Sequence, residues 1–217
     1  MNKQKKKEDM VTLLLERGAD LNAVDSESRT ALHIACSSDC VSIAQLLIKK
    51  DGGRSIDAKN NVGQTAVHIA VLRENEELLC LLLGHDADPG ITDSDGDTPL
   101  LLVVKQTEND VALEKTLLEY TAKPDAQDGE GYSALHCAIR DRIGQLAKLL
   151  ISKKADVNIK SASGQDTPLH VATKAELPGA VDLLLAAGAQ RNARTAKGRT
   201  ALHLAAEGLW KDPSSLT

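Results

Sequence analysis

One tetrapeptide pattern recurs six times and constrains the chain more than any other feature. It reads Thr30-Ala31-Leu32-His33, Thr65-Ala66-Val67-His68, Thr98-Pro99-Leu100-Leu101, Ser133-Ala134-Leu135-His136, Thr167-Pro168-Leu169-His170 and Thr200-Ala201-Leu202-His203. Successive copies start 35, 33, 35, 34 and 33 residues apart. So regular a period means a stack of like units, none of which can bury its own apolar face without its neighbours.

Each unit carries the same local signals. A polar turn such as Asp93-Ser94-Asp95-Gly96-Asp97 leads into a Thr or Ser whose hydroxyl suits a helix N-cap. Pro99 and Pro168 follow at first-turn positions, where a missing N–H costs nothing. Gly63, Gly96, Gly131 and Gly198 all stand two residues before the cap, which predicts positive φ there. A second helix is predicted from apolar residues at helical spacing, including Ile43, Leu46 and Leu47; Leu78, Leu79, Leu81 and Leu82; Leu146, Leu149 and Leu150; and Val181, Leu184 and Leu185. Gly18-Ala19-Asp20 and Gly188-Ala189-Gln190 then end it. Aromatic residues make up only 1% of the chain, so the core must be aliphatic, as narrow helical layers require.

These residues resemble the ankyrin repeat: Thr-Pro-Leu-His, a leucine-rich second helix, then Gly-Ala-Asp and its variants, over roughly residues 9 to 210. The resemblance implies an all-α solenoid of stacked helix-turn-helix units with protruding β-hairpin-like loops, binding other proteins on its concave side. The expected organisation is a basic segment 1–8, then one repeat domain 9–210. Within it come a partial unit 9–24, units near 25–59, 60–92, 93–127, 128–161 and 162–194, and an incomplete unit 195–210. Residues 211–217 are expected to be a frayed tail. The half-units at both ends suggest a piece of a larger protein, or an array with degenerate caps.

The chemistry argues against other classes. A net charge of −5 disfavours direct nucleic-acid binding, which needs a basic face. No apolar run is long enough to predict a membrane span. Cys36, Cys40, Cys80 and Cys137 are spaced for neither a disulfide framework nor a zinc site, which fits a reducing compartment. Cys36 and Cys40 read as small apolar fillers. Asp93 to Asp97 looks superficially like a calcium loop, but its glycine is misplaced and Val104 stands where the bidentate Glu should be. No phosphate loop or catalytic motif is present, so no catalytic residue, metal, cofactor or small-molecule substrate is expected. His33, His68, His136, His170 and His203 each hold the same place in a unit; the resemblance implies that they bond neighbouring turns. His85 reads as a solvated turn residue.

The partner is expected to be a protein. The resemblance puts turn tips and first-helix ends on the binding side: Glu27 and Arg29; Asn61, Gln64 and Arg73; Asp95, Asp97 and Lys105; Glu130, Tyr132, Arg140 and Asp141; Lys174; Lys197, Arg199 and Glu207. Tyr132 and the arginines are the strongest anchors by type. Residues 84–132 carry a net −9 and residues 140–217 a net +5, an asymmetry that would orient a partner. The loops Lys50–Ser55 and Gln106–Asp110 depart from the mean unit, and such insertions can carry recognition.

Asn60-Asn61-Val62-Gly63-Gln64, Asp88-Pro89 and the Asp93–Thr98 turn also look similar to early repeats of the inhibitors of NF-κB. That family masks a transcription factor and retains it in the cytoplasm. Asp25-Ser26-Glu27-Ser28 lacks that family's phosphodegron glycine, no acidic tail follows, and Leu101 replaces a motif histidine. A recognition piece of a larger enzyme or channel therefore stays open. Location is expected to be cytoplasmic, with a nuclear one open through Lys3, Lys5, Lys6 and Lys7. Asn158, after Leu150 and Asp156-Val157, resembles the asparagine hydroxylated in ankyrin proteins; its default role is bonding within its turn.

Overall fold

The computed structural model describes residues 3–106, 111–120 and 123–208. Trp210, the 211–217 tail and loop residues 107–110 lie outside the described residues. Twelve helices occur among those described: α1 (Lys3–Glu16), α2 (Ala31–Ser37), α3 (Val41–Asp51), α4 (Ala66–Leu72), α5 (Glu76–Leu83), α6 (Pro99–Gln106), α7 (Ala112–Glu119), α8 (Ala134–Arg140), α9 (Gly144–Ser152), α10 (Pro168–Lys174), α11 (Pro178–Ala186) and α12 (Ala201–Gly208). No strand forms among the described residues, and the one β-bridge joins Gln127 to Ser133 across a turn. α1 reaches back over the lysines of the N-terminal segment.

The chain divides into two compact units, Met1–Val103 with Lys115–Ala122, and Val104–Glu114 with Lys123–Thr217. In the first, α2 packs on α4, while α1, α3 and α5 stack side by side. In the second, α8 pairs with α9 and α10 with α11, and α10 lies between α8 and α12. First helices thus stack on first helices. The short first helices turn small residues inward, so Ala66, Ala70, Ala134, Ala138 and Ala172 are buried, letting helix backbones approach closely. Second helices contribute Leu47, Leu78, Leu79, Leu82, Leu146, Leu150 and Leu184 to the same layers, as their spacing predicts. At about 25 cal/mol per Å² of apolar surface, burying one such leucine contributes about 1.5–3 kcal/mol.

Each turn is built by a short polar side chain at its start. Asp25, Asn60, Asp93 and Asp128 accept backbone N–H bonds from the residues two and four places on, at 2.8–3.1 Å. Ser161 and Thr195 use a hydroxyl instead, each accepting one backbone N–H, from Asp166 five places on and from Arg199 four places on. Such turns tolerate the left-handed residue that follows. Gly63, Gly96, Gly131 and Gly198 take φ of 75°, 82°, 81° and 72°, as their placement predicts, and Ser28 and Gln165 adopt the same conformation without being glycine. Close approach explains glycine at two of these sites. A Cβ on Gly131 would lie 2.2 Å from the Ala162 nitrogen, and one on Gly63 would lie 2.7 Å from that of Ser94.

Candidate functional site

The signature histidines tie unit to unit. In α2, the Thr30 N–H donates to His33 Nδ1 at 3.1 Å, which leaves the proton on Nε2, and Nε2 donates to the Gln64 carbonyl of the next turn. His68 bonds Thr65 and the Asp97 carbonyl in the same way, His136 bonds Ser133 and Asp166, and His170 bonds Thr167 and Ala193. His203 keeps the bond to its own cap, Thr200, and is exposed. Burial pulls the pKa of His33, His68, His136 and His170 below the usual imidazole value. Protonation would also place a hydrogen on Nδ1 against the cap's N–H. At Leu101 the side chain has no nitrogen, is fully buried and adds only packing.

Turn backbones continue the connection. The Asn61 N–H donates to the Glu27 carbonyl, Ser94 to Val62, and Ala196 to Gly164. Deeper in the turns, Asp57 and Asp125 accept the N–H of Asp88 and Asp156 from the following unit. Asn158 occupies the same role: its Oδ1 accepts the Gln190 N–H at 2.8 Å. Its side chain therefore bridges to the next turn instead of bonding within its own, because a short amide at this place points along the stack. Asp156 supplies the bond within the turn.

These turns hold the surface groups singled out by sequence. In the first compact unit, Arg29 is pinned between Asp25 at 2.8 Å and Glu27 at 3.0 Å. The Arg29 backbone N–H and guanidinium hold the Asp25 carboxyl below its ordinary range. Arg73 reaches back to Asp39 at 2.7 Å, and Asn75 completes that cluster, so Asp39 is also lowered. Asn61 and Asp95 are exposed at turn tips, and Gln64 is half-buried. Asp97 is buried, with its carbonyl taken by His68.

In the second compact unit, Lys105 lies 3.0 Å from Asp128. Burial alone would raise the Asp128 carboxyl, but the Tyr132 N–H and the Lys105 ammonium outweigh it and the pKa falls. The Tyr132 ring meets His136 edge-on at 5.6 Å, and Glu130 is exposed beside it. Arg140 forks onto both oxygens of Asp141, which raises the guanidinium pKa further. Lys174 pairs with Asp166 at 2.7 Å, Arg199 with Glu207, and Lys197 is exposed. Sequence reading named these cations but missed Asp25, Asp39 and Asp166, which position them. Asp25 could have been found four residues before Arg29; Asp39 and Asp166 meet their cations only through folding.

Cys36 and Cys137 are buried, and burial pushes their thiols up to about 12 and about 11, which suits fillers and not nucleophiles. Among the described residues no three His, Cys, Asp or Glu side chains converge as metal ligands. His85, read as solvated, is half-buried and uses Nδ1 to bond the Leu81 carbonyl within its own helix end.

The family description "Ankyrin repeats (3 copies)" matches residues 2–93, 67–161 and 146–210. The chain belongs to the ankyrin-repeat family. Ankyrin repeats are protein-interaction modules. Mouse Rabankyrin-5 is 30% identical over 195 residues, covering 89% of this chain and 14% of that protein. Zebrafish Neurogenic locus notch homolog protein 1 is 35% identical over 116 residues, covering 53% of this chain and 5% of the relative. The ankyrin-repeat chain therefore spans only a small part of these relatives. Among solved structures, the ankyrin repeat domain of Bcl-3, described as a unique member of the IkappaB protein family, superposes with a TM-score of 0.80 at 28% identity. That match covers 93% of this chain and 89% of that one. No helix among the described residues is long and apolar enough to cross a membrane.

Proposed function

We propose that this ankyrin-repeat chain is a non-catalytic recognition module that binds a protein partner through its turn tips and first-helix ends. The observation that carries the reading is the placement of paired charges there: Arg29, Arg73, Arg140 and Arg199 each stand beside a carboxylate at or just past a turn or first helix. Preset guanidinium groups lose little freedom on binding, and exchange of partners across such pairs gives specificity. Glu27, Asn61, Gln64, Asp95, Lys105, Glu130, Tyr132, Asp141, Lys174, Lys197 and Glu207 complete the contact set, from which burial removes Asp97. Tyr132, half-buried and steadied by His136, is the central aromatic anchor. Capture of partners by the wild-type chain and by Tyr132→Ala/Arg140→Ala, compared by cross-linking mass spectrometry, tests this. The proposal expects at least tenfold weaker capture with unchanged helicity; equal capture would refute this face.

The likeness to the Bcl-3 domain supports a narrower version in which the partner is a transcription factor or signalling protein, held in the cytoplasm or nucleus. The short share of Rabankyrin-5 that is matched supports a second version, a recognition segment of a larger protein. Asn158 hydroxylation is a further element of the family reading. An intact-mass gain of one oxygen after treatment with an asparaginyl hydroxylase, lost in Asn158→Ala, would establish it, and no gain would remove it.

A further inference from the structure

In the second compact unit one side-chain position forms a row across successive turns. Gln127 donates through Nε2 to the Lys160 carbonyl at 2.8 Å, and Lys160 brings Nζ to 3.5 Å from the Arg194 carbonyl. Arg194, next in the row, donates through Nη1 to the Gly198 carbonyl at 2.8 Å. Lys59 makes the same reach in the first compact unit, to the Thr92 carbonyl at 2.7 Å. The row is open to solvent in the interior of the array as well: Lys59 and Gln127, with units on both sides, are exposed like Lys160 and Arg194.

The charge on this edge has one sign. Residues 153–165 and 187–199 carry Lys153, Lys154, Lys160, Arg191, Arg194 and Lys197, all exposed, and Arg199, which pairs with Glu207. Against them stands one carboxylate, Asp156, which accepts the Asn158 N–H. One unit back lie Asp125, which accepts the Asp156 N–H, and Glu130. Among the described residues none of the six exposed cations forms an ion pair. Arg29, Arg73, Lys105, Arg140 and Lys174, at the turn tips and first-helix ends, all do. The carbonyls that steady Lys160 and Arg194 leave their charge uncompensated.

A small anion would meet one or two of these groups, whereas a linear one can follow the row. Helical layers stack about 8–10 Å apart. A polyproline II strand repeats its face every three residues, about 9 Å along its axis. Carboxylates three residues apart on such a strand therefore keep step with Lys160 and Arg194. Neither turn segment offers an aromatic ring for a base to stack on, nor a large exposed apolar side chain to enter a lipid surface.

We propose that this edge binds an extended acidic protein segment carrying a carboxylate at every third residue, as a second surface beside the turn tips. It shares Lys197 alone with the contact set of the proposed function, and rests on that reading only in taking the occupant to be protein.

Fluorescence anisotropy of the full chain tests this with a labelled peptide of about twelve residues, Glu at every third position and proline between. The wild type should bind it at low salt and release it at high salt. Lys160→Gln/Arg194→Gln should weaken binding about tenfold, with circular dichroism and melting unchanged, because Gln127 already serves in this row. Lys49→Gln/Lys50→Gln removes the same charge from exposed positions in the first compact unit and should bind as the wild type does. Equal loss in both variants would overturn the assigned edge, as would a wild type that does not bind. A peptide of the same composition with its Glu residues adjacent should bind more weakly, and equal binding would overturn the spacing. Tighter binding of a single-stranded oligonucleotide or of phosphatidylserine vesicles, lost in Lys160→Gln/Arg194→Gln, would replace the protein segment with a nucleic acid or a membrane. Tyr132→Ala/Arg140→Ala should hold the peptide as the wild type does, so failure of the tip surface and failure of this edge are read separately; loss there would place the acidic segment on the tips and overturn the second surface.

Discussion

The second and third units differ at one signature position, and the difference separates two ways of holding a stack together. His68 joins its own cap, Thr65, to the Asp97 carbonyl, so one ring satisfies a helix start and a neighbouring turn. Leu101 occupies the same place, is equally buried and contributes contact alone. Both positions resist removal. Only the first is directional, and only the first can be switched off by a proton. The third unit keeps the cap bond that the others have, the Thr98 hydroxyl accepting the Leu101 N–H at 3.3 Å, and at the cap loses only the reciprocal side-chain bond.

The contrast can be broken most severely at the histidine. His68→Ala would strand the Thr65 N–H in the interior and leave the Asp97 carbonyl with only the Asp93 N–H, and should cost about 2–5 kcal/mol, read as a lowered urea midpoint. Leu101→Ala should cost about 2–4 kcal/mol through the cavity it leaves. The decisive comparison is pH dependence. In the folded chain the four buried histidines titrate below the unfolded value of 6.5. Above pH 6.5 both states are neutral there and the contribution is complete; below it the unfolded state takes up protons first, so stability falls as pH drops toward the folded values. His68→Leu should flatten that acid-side slope, whereas Leu101→Ala should lower stability equally across it. Identical slopes would dissolve the distinction.

Smaller effects sharpen it in the turns. Gly131→Ala, with its Cβ against Ala162, should cost about 1–3 kcal/mol by thermal melting, and Gly198→Ala, with open space around it, less. Arg73→Ala should leave the melting midpoint within about 2 °C, since an exposed pair adds little to folding. Any larger loss would make Arg73 part of the framework instead of the recognition surface.

The repeat was legible because period, cap and glycine placement all answer to backbone geometry, which is local. Positive φ at Gly63 and Gly131 could be read two residues from the cap, and the five histidines from their constant register. The asparagine and aspartates that open each turn were equally local, but their hydrogen bonds went unread because Asp25, Asn60, Asp93 and Asp128 look like ordinary loop polarity. What could not be read was pairing across units. Arg73 finds Asp39 over 34 residues, and Lys105 finds Asp128, only after turns and helices have stacked. The role of Asn158 was misjudged for the same reason, since its acceptor faces the next unit.

The central claim is that the turns and first helices recognise while the second helices support. Hydrogen–deuterium exchange of the chain with and without a captured partner tests it most directly. Protection should appear at residues 25–29, 60–64, 93–97, 128–132 and 195–199 and at the ends of α4, α8 and α10. Protection confined to α5, α9 and α11, with those turns unchanged, would contradict it.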